Sequence, residues 1–132
     1  MAEPLGLILV DGTYERVHYG LAMAASALAV NRPAVLFFTN GALLALAGGE
    51  GWRKLGGDAA RQEENRLKAG VAGLPELLEA CAALDGKFFA CEMGLRTMGL
   101  QANDLRSDIK IEIAGLVSFY NALPEGAQPS VL

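Results

Sequence analysis

The chain has 132 residues, of which 52% are hydrophobic and 20% are charged, and its formal net charge is −4. This length suits a single domain, residues 1–132, and the composition excludes disordered and collagen-like chains. An acidic surface repels phosphate backbones, so we expect no nucleic-acid partner. The apolar fraction exceeds the usual value of about 45–50%, which favours a homo-oligomer that covers apolar surface.

The sequence indicates a cytoplasmic protein without a membrane span. The longest apolar run, residues 20–30, is much shorter than the roughly 20 residues that a spanning helix needs. The first four residues carry no basic group, so we expect no secretory signal. Thiols stay reduced in the cytoplasm, and two cysteines with one histidine are too few for a closed zinc site. We therefore expect neither a disulfide nor a metal, and no cofactor.

Apolar runs followed by turn residues predict buried strands, and apolar residues at helical spacing predict helices between them. The elements predicted in the first half are a strand at residues 6–10, a helix capped by Thr13 that runs to about Val30, a strand at 34–39, a short helix at 42–47, a glycine-rich flexible loop at 48–57 around Trp52, and a polar segment at 58–69 that is either an exposed helix or a lid.

The second half continues the alternation of strand and helix. The elements predicted there are a helix with Pro75 in its first turn that ends at Asp85–Gly86, a strand at 87–90, a short helix at 92–98 stopped by Gly99, a half-exposed edge strand at 109–113, and a helix at 114–123. Buried strands joined by helical crossovers imply a mostly parallel sheet covered on both faces. The sheet is expected to have four to five strands, of which four are placed in the sequence.

Ligands of such folds gather beyond the carboxyl ends of the strands. The loops that qualify here are residues 11–13, 39–41 and 91–93. Their candidate ligand-binding residues are Gly12, Thr13, Asn40, Gly41, Glu92 and Met93, and the helix that follows Gly12 could offer amides to an anion.

Cys91 is the strongest potential nucleophile of these loops. It ends a buried strand and begins a helix, so helix amides would point toward its sulfur and favour the thiolate, which is the nucleophilic form. The negative charge of Glu92 would oppose this effect if it faced the sulfur. The alternative interpretation is that Cys91 is a small buried apolar residue.

The other cysteine and the histidine fit structural roles. Cys81 lies on the apolar stripe of its helix, which favours core packing, and it could resolve a disulfide only if it lay near Cys91. His18 follows Val17 on the first helix, where a hydrogen-bonded histidine at the edge of the core is the simpler interpretation. A metal site shared between subunits through Cys91 and His18 is a third hypothesis.

A family resemblance supports these assignments. The segment 87–105 (KFFACEMGLRTMGLQANDL), followed by residues 115–119 (GLVSF), resembles the DsrE/DsrF-like family, which includes TusD-like sulfur-relay subunits. Its most specific element is Ala-Cys-Glu-Met at residues 90–93 with Met98–Gly99. The residues Phe-Phe-Thr at 37–39 and the alanine-rich first helix also fit, whereas residues 48–69 match least.

The resemblance implies a flavodoxin-like three-layer α/β sandwich that usually assembles as trimers or hexamers. It also implies that Cys91 accepts sulfane sulfur as a persulfide and passes it between donor and acceptor proteins. Two contact surfaces are plausible for the assembly: residues 42–47, and the final segment with Val117, Phe119 and Tyr120. The alternative function is a non-catalytic, oligomeric protein that binds a small ligand or anion between Gly12, Asn40 and Cys91.

Overall fold

The structure is a computed structural model that describes residues 3–132. The first two residues, on which the expected absence of a secretory signal partly rests, lie outside the described range. The strands are β1 (Leu5–Leu9), β2 (Ala34–Phe38), β3 (Lys87–Cys91), β4 (Ile111–Ala114) and β5 (Ser130–Val131). The α-helices are α1 (Tyr14–Ala29), α2 (Ala59–Lys68), α3 (Leu74–Ala83), α4 (Glu92–Met98) and α5 (Leu116–Asn121).

The described strands form one five-stranded sheet in the order β4-β3-β2-β1-β5, and every neighbouring pair is parallel. This confirms the α/β sandwich and places the fifth strand, which pairs with β1 through only two residues. The strand predicted at 109–113 is β4 and lies at an edge, as expected. Helix α5 is shorter than the predicted helix at 114–123.

The two faces of the sheet have separate hydrophobic cores. On one face, α1 and α3 pack together over the β1, β2 and β3 side chains that include Leu9, Phe38 and Ala90. On the other face, α5 inserts Phe119 between Phe37 and Phe89, with ring centroids 5.5 and 6.5 Å apart. We call these the α1/α3 core and the α5 core.

The segment after β2 differs most from its prediction. Residues Asn40–Leu46 form a 3-10 helix in which Ala42, Leu43, Ala45 and Leu46 are buried, so most of the contact surface predicted at residues 42–47 is core. The glycine-rich loop contains a second 3-10 turn, Gly51–Lys54, and Trp52 is buried against Tyr14. The side chain of Trp52 thus packs the loop onto the rest of the domain.

The polar segment at 58–69 is the exposed helix α2. It is held to the domain by Glu63, whose carboxylate accepts hydrogen bonds from the Tyr14 hydroxyl and from the amide of Leu74 at the start of α3. Burial, and then the hydrogen bond to Glu63, raise the pKa of Tyr14 far above its ordinary range. Since a buried hydroxyl without a partner is costly, Glu63 fixes the position of α2.

Candidate functional site

The loops after β1, β2 and β3 meet at the carboxyl edge of the sheet. The loops after β1 and β2 touch directly, because a Cβ placed on Gly12 would lie 2.8 Å from the Cα of Gly41. Asn40 makes this approach possible by adopting a left-handed conformation with φ of 49°. The predicted turn at Asn40–Gly41 is therefore a close backbone contact rather than the wall of an open pocket.

Two amides at the start of α1 already have partners. The amide of Thr13 donates to Asp11 Oδ1 at 2.9 Å, and that of Tyr14 donates to the carbonyl oxygen of Gly56 at 3.0 Å. Hydrogen bonds from the side chain and backbone of Thr13 hold the pKa of Asp11 below its ordinary value. The carboxylate of Asp11 thus places a negative charge at the N-terminus of α1, where a bound anion would otherwise lie.

Cys91 is the last residue of β3 and the N-cap of α4. Its Sγ accepts a hydrogen bond from the backbone amide of Gly94 at 3.3 Å, so the sulfur occupies the position that a serine or aspartate oxygen takes at other helix starts. One amide of the helix therefore points toward this sulfur, as predicted. The side chain is only 4% exposed and belongs to the α5 core.

Gly94 is the residue that sequence reasoning missed. A Cβ at this position would lie 2.6 Å from Thr39 Oγ1 and 2.9 Å from the Asn40 amide nitrogen. Only glycine lets the first turn of α4 approach the loop after β2 this closely, and this approach orients the amide that reaches Cys91. A cysteine followed three residues later by glycine at a strand-to-helix junction is the available sequence signal.

The remaining residues of this loop face solvent. Glu92 pairs with Arg96 at 3.2 Å, and both side chains are exposed, so its charge is partly compensated on the outer side of α4. Met93 is 72% exposed. Of the predicted ligand-binding set, Gly12 and Gly41 contact each other, and the Asn40 amide lies beside Gly94 in the first turn of α4. Glu92 and Met93 are exposed, and Thr13 is engaged with Asp11.

Cys81 and His18 lie in the α1/α3 core or at its border. Cys81 is fully buried, its Sγ lies 3.5 Å from the carbonyl oxygen of Leu21, and burial raises the pKa of its thiol to about 11. His18 is 7% exposed and donates from Nε2 to the carbonyl of Ala72 at 2.8 Å. Cys81 and Cys91 thus belong to different cores, and both are free thiols.

Three cavities in the described part of the chain lie elsewhere. Their volumes are about 410, 250 and 240 Å³. The largest is at the amino end of the sheet, where Lys87 and Lys110 line it. Within residues 3–132, no group of three or more histidine, cysteine, aspartate or glutamate side chains converges to hold a metal ion. No helix of the same residues is long and apolar enough to span a membrane.

The comparisons with known proteins agree with the architecture. The model of the DsrE/DsrF/DrsH-like family matches residues 55–127, more than half of the chain, and this range includes Cys91. The crystal structure of the YchN protein from E. coli has a TM-score of 0.59 at 17% identity, over 100% of this chain and 98% of that chain. A search of curated proteins found no match. The resemblance first indicated by the segment around Cys91 is therefore confirmed, and the chain belongs to the DsrE/DsrF/DrsH-like family.

Proposed function

We propose that this protein is a cytoplasmic sulfur carrier in which Cys91 accepts sulfane sulfur as a persulfide and passes it to an acceptor thiol. Membership of the DsrE/DsrF/DrsH-like family supports a sulfur-relay role. The observation that carries the proposal is the hydrogen bond from the Gly94 amide to Cys91 Sγ. A backbone donor aimed at the sulfur can stabilise the negative charge that the sulfur carries during exchange.

The proposed reaction needs no cofactor. The Cys91 thiolate attacks the outer sulfur of a donor persulfide; a new S–S bond forms to Cys91, and the donor's S–S bond breaks to release the donor thiolate. The proton of the outer sulfur stays with it, and no net oxidation occurs. In the second step an acceptor thiolate attacks the same outer sulfur and releases the Cys91 thiolate. The Gly94 amide stabilises that thiolate as both attacking and leaving group.

The reaction requires a donor to reach a side chain that is 4% exposed in this structure. The α5 core is the thinner of the two layers, because α5 has only six residues and Leu116, Val117 and Tyr120 on it are exposed. Helix α5 is anchored to the sheet by the aromatic ring of Phe119. Local opening of this layer would give Cys91 access to solvent.

The burial of Cys91 also favours the alternative function, a protein of the same fold that binds a small ligand without catalysis. In that case Cys91 is an apolar N-cap and never exchanges sulfur. Its surroundings argue against an anion, since the loops after β1 and β2 are in contact and the Thr13 and Tyr14 amides are already paired.

We also propose that copies of this chain assemble through the exposed apolar side chains at the end of β4 and on α5. Ile113, Leu116, Val117 and Tyr120 are 39, 45, 75 and 51% exposed. Clustered apolar side chains of this kind mark interaction surfaces. Light scattering should report a trimer or hexamer for the wild type and smaller species for Val117→Glu. A monomeric wild-type protein at high concentration would exclude the assembly.

The sulfur-carrier proposal is tested by incubating the protein with a persulfide donor and measuring its mass by mass spectrometry. The wild type and Cys81→Ser should each gain one sulfur atom, which maps to the peptide that contains Cys91, whereas Cys91→Ser should gain none. Because Cys81 is fully buried in the α1/α3 core, it serves as the matched control. An unloaded Cys91 under conditions that load an established carrier would favour the alternative function.

A further inference from the structure

We infer that Thr39 is a second residue of the sulfur-transfer site and that its hydroxyl donates a hydrogen bond to the outer sulfur carried by Cys91. This inference rests on the proposed function and adds to it the group that holds the transferred atom. Nothing in the family resemblance assigns a role to this threonine.

The sheet places Thr39 beside Cys91. Strands β2 and β3 are parallel, and Phe38 lies opposite Ala90. The next residues along the sequence, Thr39 and Cys91, are therefore neighbours at the carboxyl edge of the sheet. Both have extended backbone angles, with φ and ψ of −141° and 164° for Thr39 and −68° and 119° for Cys91. Side chains of neighbouring extended residues in register emerge on the same face of a sheet.

The contacts around Gly94 place the Thr39 hydroxyl beside the amide donor of the site. Oγ1 lies 2.6 Å from the point that a Cβ of Gly94 would occupy, and the Gly94 amide is 3.3 Å from Cys91 Sγ. The strand on the other side of Cys91 contributes Ala114, whose methyl group can offer no hydrogen bond. Thr39 is therefore the polar neighbour that the sheet gives to this cysteine.

The hydroxyl of Thr39 is also available for such a bond. Thr39 is the N-cap of the 3-10 helix Asn40–Leu46, yet its side chain makes no capping hydrogen bond. Threonine at this position usually caps through its oxygen. Thr39 is half-buried and Cys91 is buried. A persulfide extends the side chain by about 2.05 Å beyond Sγ, which gives the Thr39 hydroxyl a sulfur to contact.

The test uses inorganic polysulfide as the sulfur source and dithiothreitol as the acceptor, with Cys81→Ser as the background so that Cys91 is the single thiol. The loaded protein transfers its outer sulfur to one thiol of dithiothreitol, whose second thiol then closes the cyclic disulfide and releases sulfide. The rate of sulfide release is measured against pH. Thr39→Val keeps the shape of the side chain and removes the hydroxyl, so we expect about a tenfold change in this rate and a displaced midpoint of its pH profile. Thr39→Ser should restore both within about twofold.

Thr97→Val is the matched control, since the Thr97 hydroxyl donates to the Met93 carbonyl on the exposed side of α4. It should leave the rate and the pH profile unchanged. Thermal unfolding checks that each variant folds, and Thr39→Ala replaces Thr39→Val if the latter does not. Equal profiles for Thr39→Val and its background would overturn the role of Thr39 while the carrier function stands. A background protein that never loads would overturn both.

Discussion

The two cysteines of this chain lie in the two cores of the sheet, and their surroundings differ more than their burial. Cys81 is fully buried in the α1/α3 core, where burial raises its pKa to about 11. Cys91 is almost as buried, at 4% exposure, but its sulfur accepts a hydrogen bond from the backbone amide of Gly94. Burial without a donor makes a thiol inert, whereas a helix amide can stabilise a buried thiolate.

The difference follows from where each cysteine lies on its element. Cys81 lies on the apolar stripe of α3, near the end of this helix, and α3 packs on α1. Cys91 is at a strand-to-helix junction under a six-residue helix. The carboxyl edge of a parallel sheet is where unpaired helix amides collect, so chemistry is expected at Cys91 and packing at Cys81.

The largest effect on stability is expected from Phe119→Ala. This change removes the ring that anchors α5 between Phe37 and Phe89 and should lower the free energy of unfolding by about 3–5 kcal/mol, measured by urea denaturation. Because α5 covers the core that contains Cys91, alkylation of Cys91 by iodoacetamide under native conditions should become faster. Cys81 should stay protected until the whole domain unfolds.

Leu78→Ala is the matched change in the α1/α3 core, where Leu78 is fully buried. It should cost a similar free energy, about 2–5 kcal/mol, without exposing Cys91 selectively. If both variants expose the two cysteines to the same extent, the cores open together and the distinction between them fails.

A smaller effect is expected from Gly94→Ala. The added methyl group would meet Thr39 Oγ1 and the Asn40 amide, so α4 must shift, at a cost of about 1–3 kcal/mol. The shift should also move the amide away from Cys91 and slow persulfide loading. Gly115→Ala is the control, because nothing lies within 4 Å of a Cβ there. Unchanged loading in a folded Gly94→Ala protein would show that the amide contact is dispensable.

The last prediction concerns pH. The folded protein raises the pKa of Cys81 from its ordinary 9.0 to about 11. The unfolded chain therefore loses this proton first, so the stability linked to Cys81 is fully present below about pH 9 and is lost as the pH rises toward 11. Urea denaturation across this range should give a steeper loss of stability for the wild type than for Cys81→Ser. Equal slopes would contradict the buried, donor-free environment of this thiol.

The sequence predicted the strands well, because each apolar run was bounded by clear turn residues such as Asp11–Gly12 and Asp85–Gly86. It could not place β5, since the two residues Ser130–Val131 carry no periodicity. The position of Cys91 as a strand end and helix start was predicted from local pattern. Its burial was only the alternative interpretation, and local pattern could not decide it because the cover comes from α5, a separate element of the chain.

The contacts between loops were also beyond the reach of local pattern. Gly12 and Gly41 were both predicted near the site, but a direct backbone contact depends on the register of β1 against β2. The pairing of Gly94 with Thr39 depends likewise on how α4 packs against the loop after β2. Such close approaches are set by tertiary packing, and an isolated glycine in a sequence does not reveal its neighbour.

The central claim, that Cys91 carries a transferable sulfur, is tested most directly by a chase experiment with isotopically labelled sulfur. The protein is loaded with label, the label is mapped, and an acceptor thiol is then added. We predict that the label first appears on the peptide containing Cys91 and moves to the acceptor thiol after that thiol is added. Label that never reaches Cys91, or that stays there when the acceptor is present, would contradict the account.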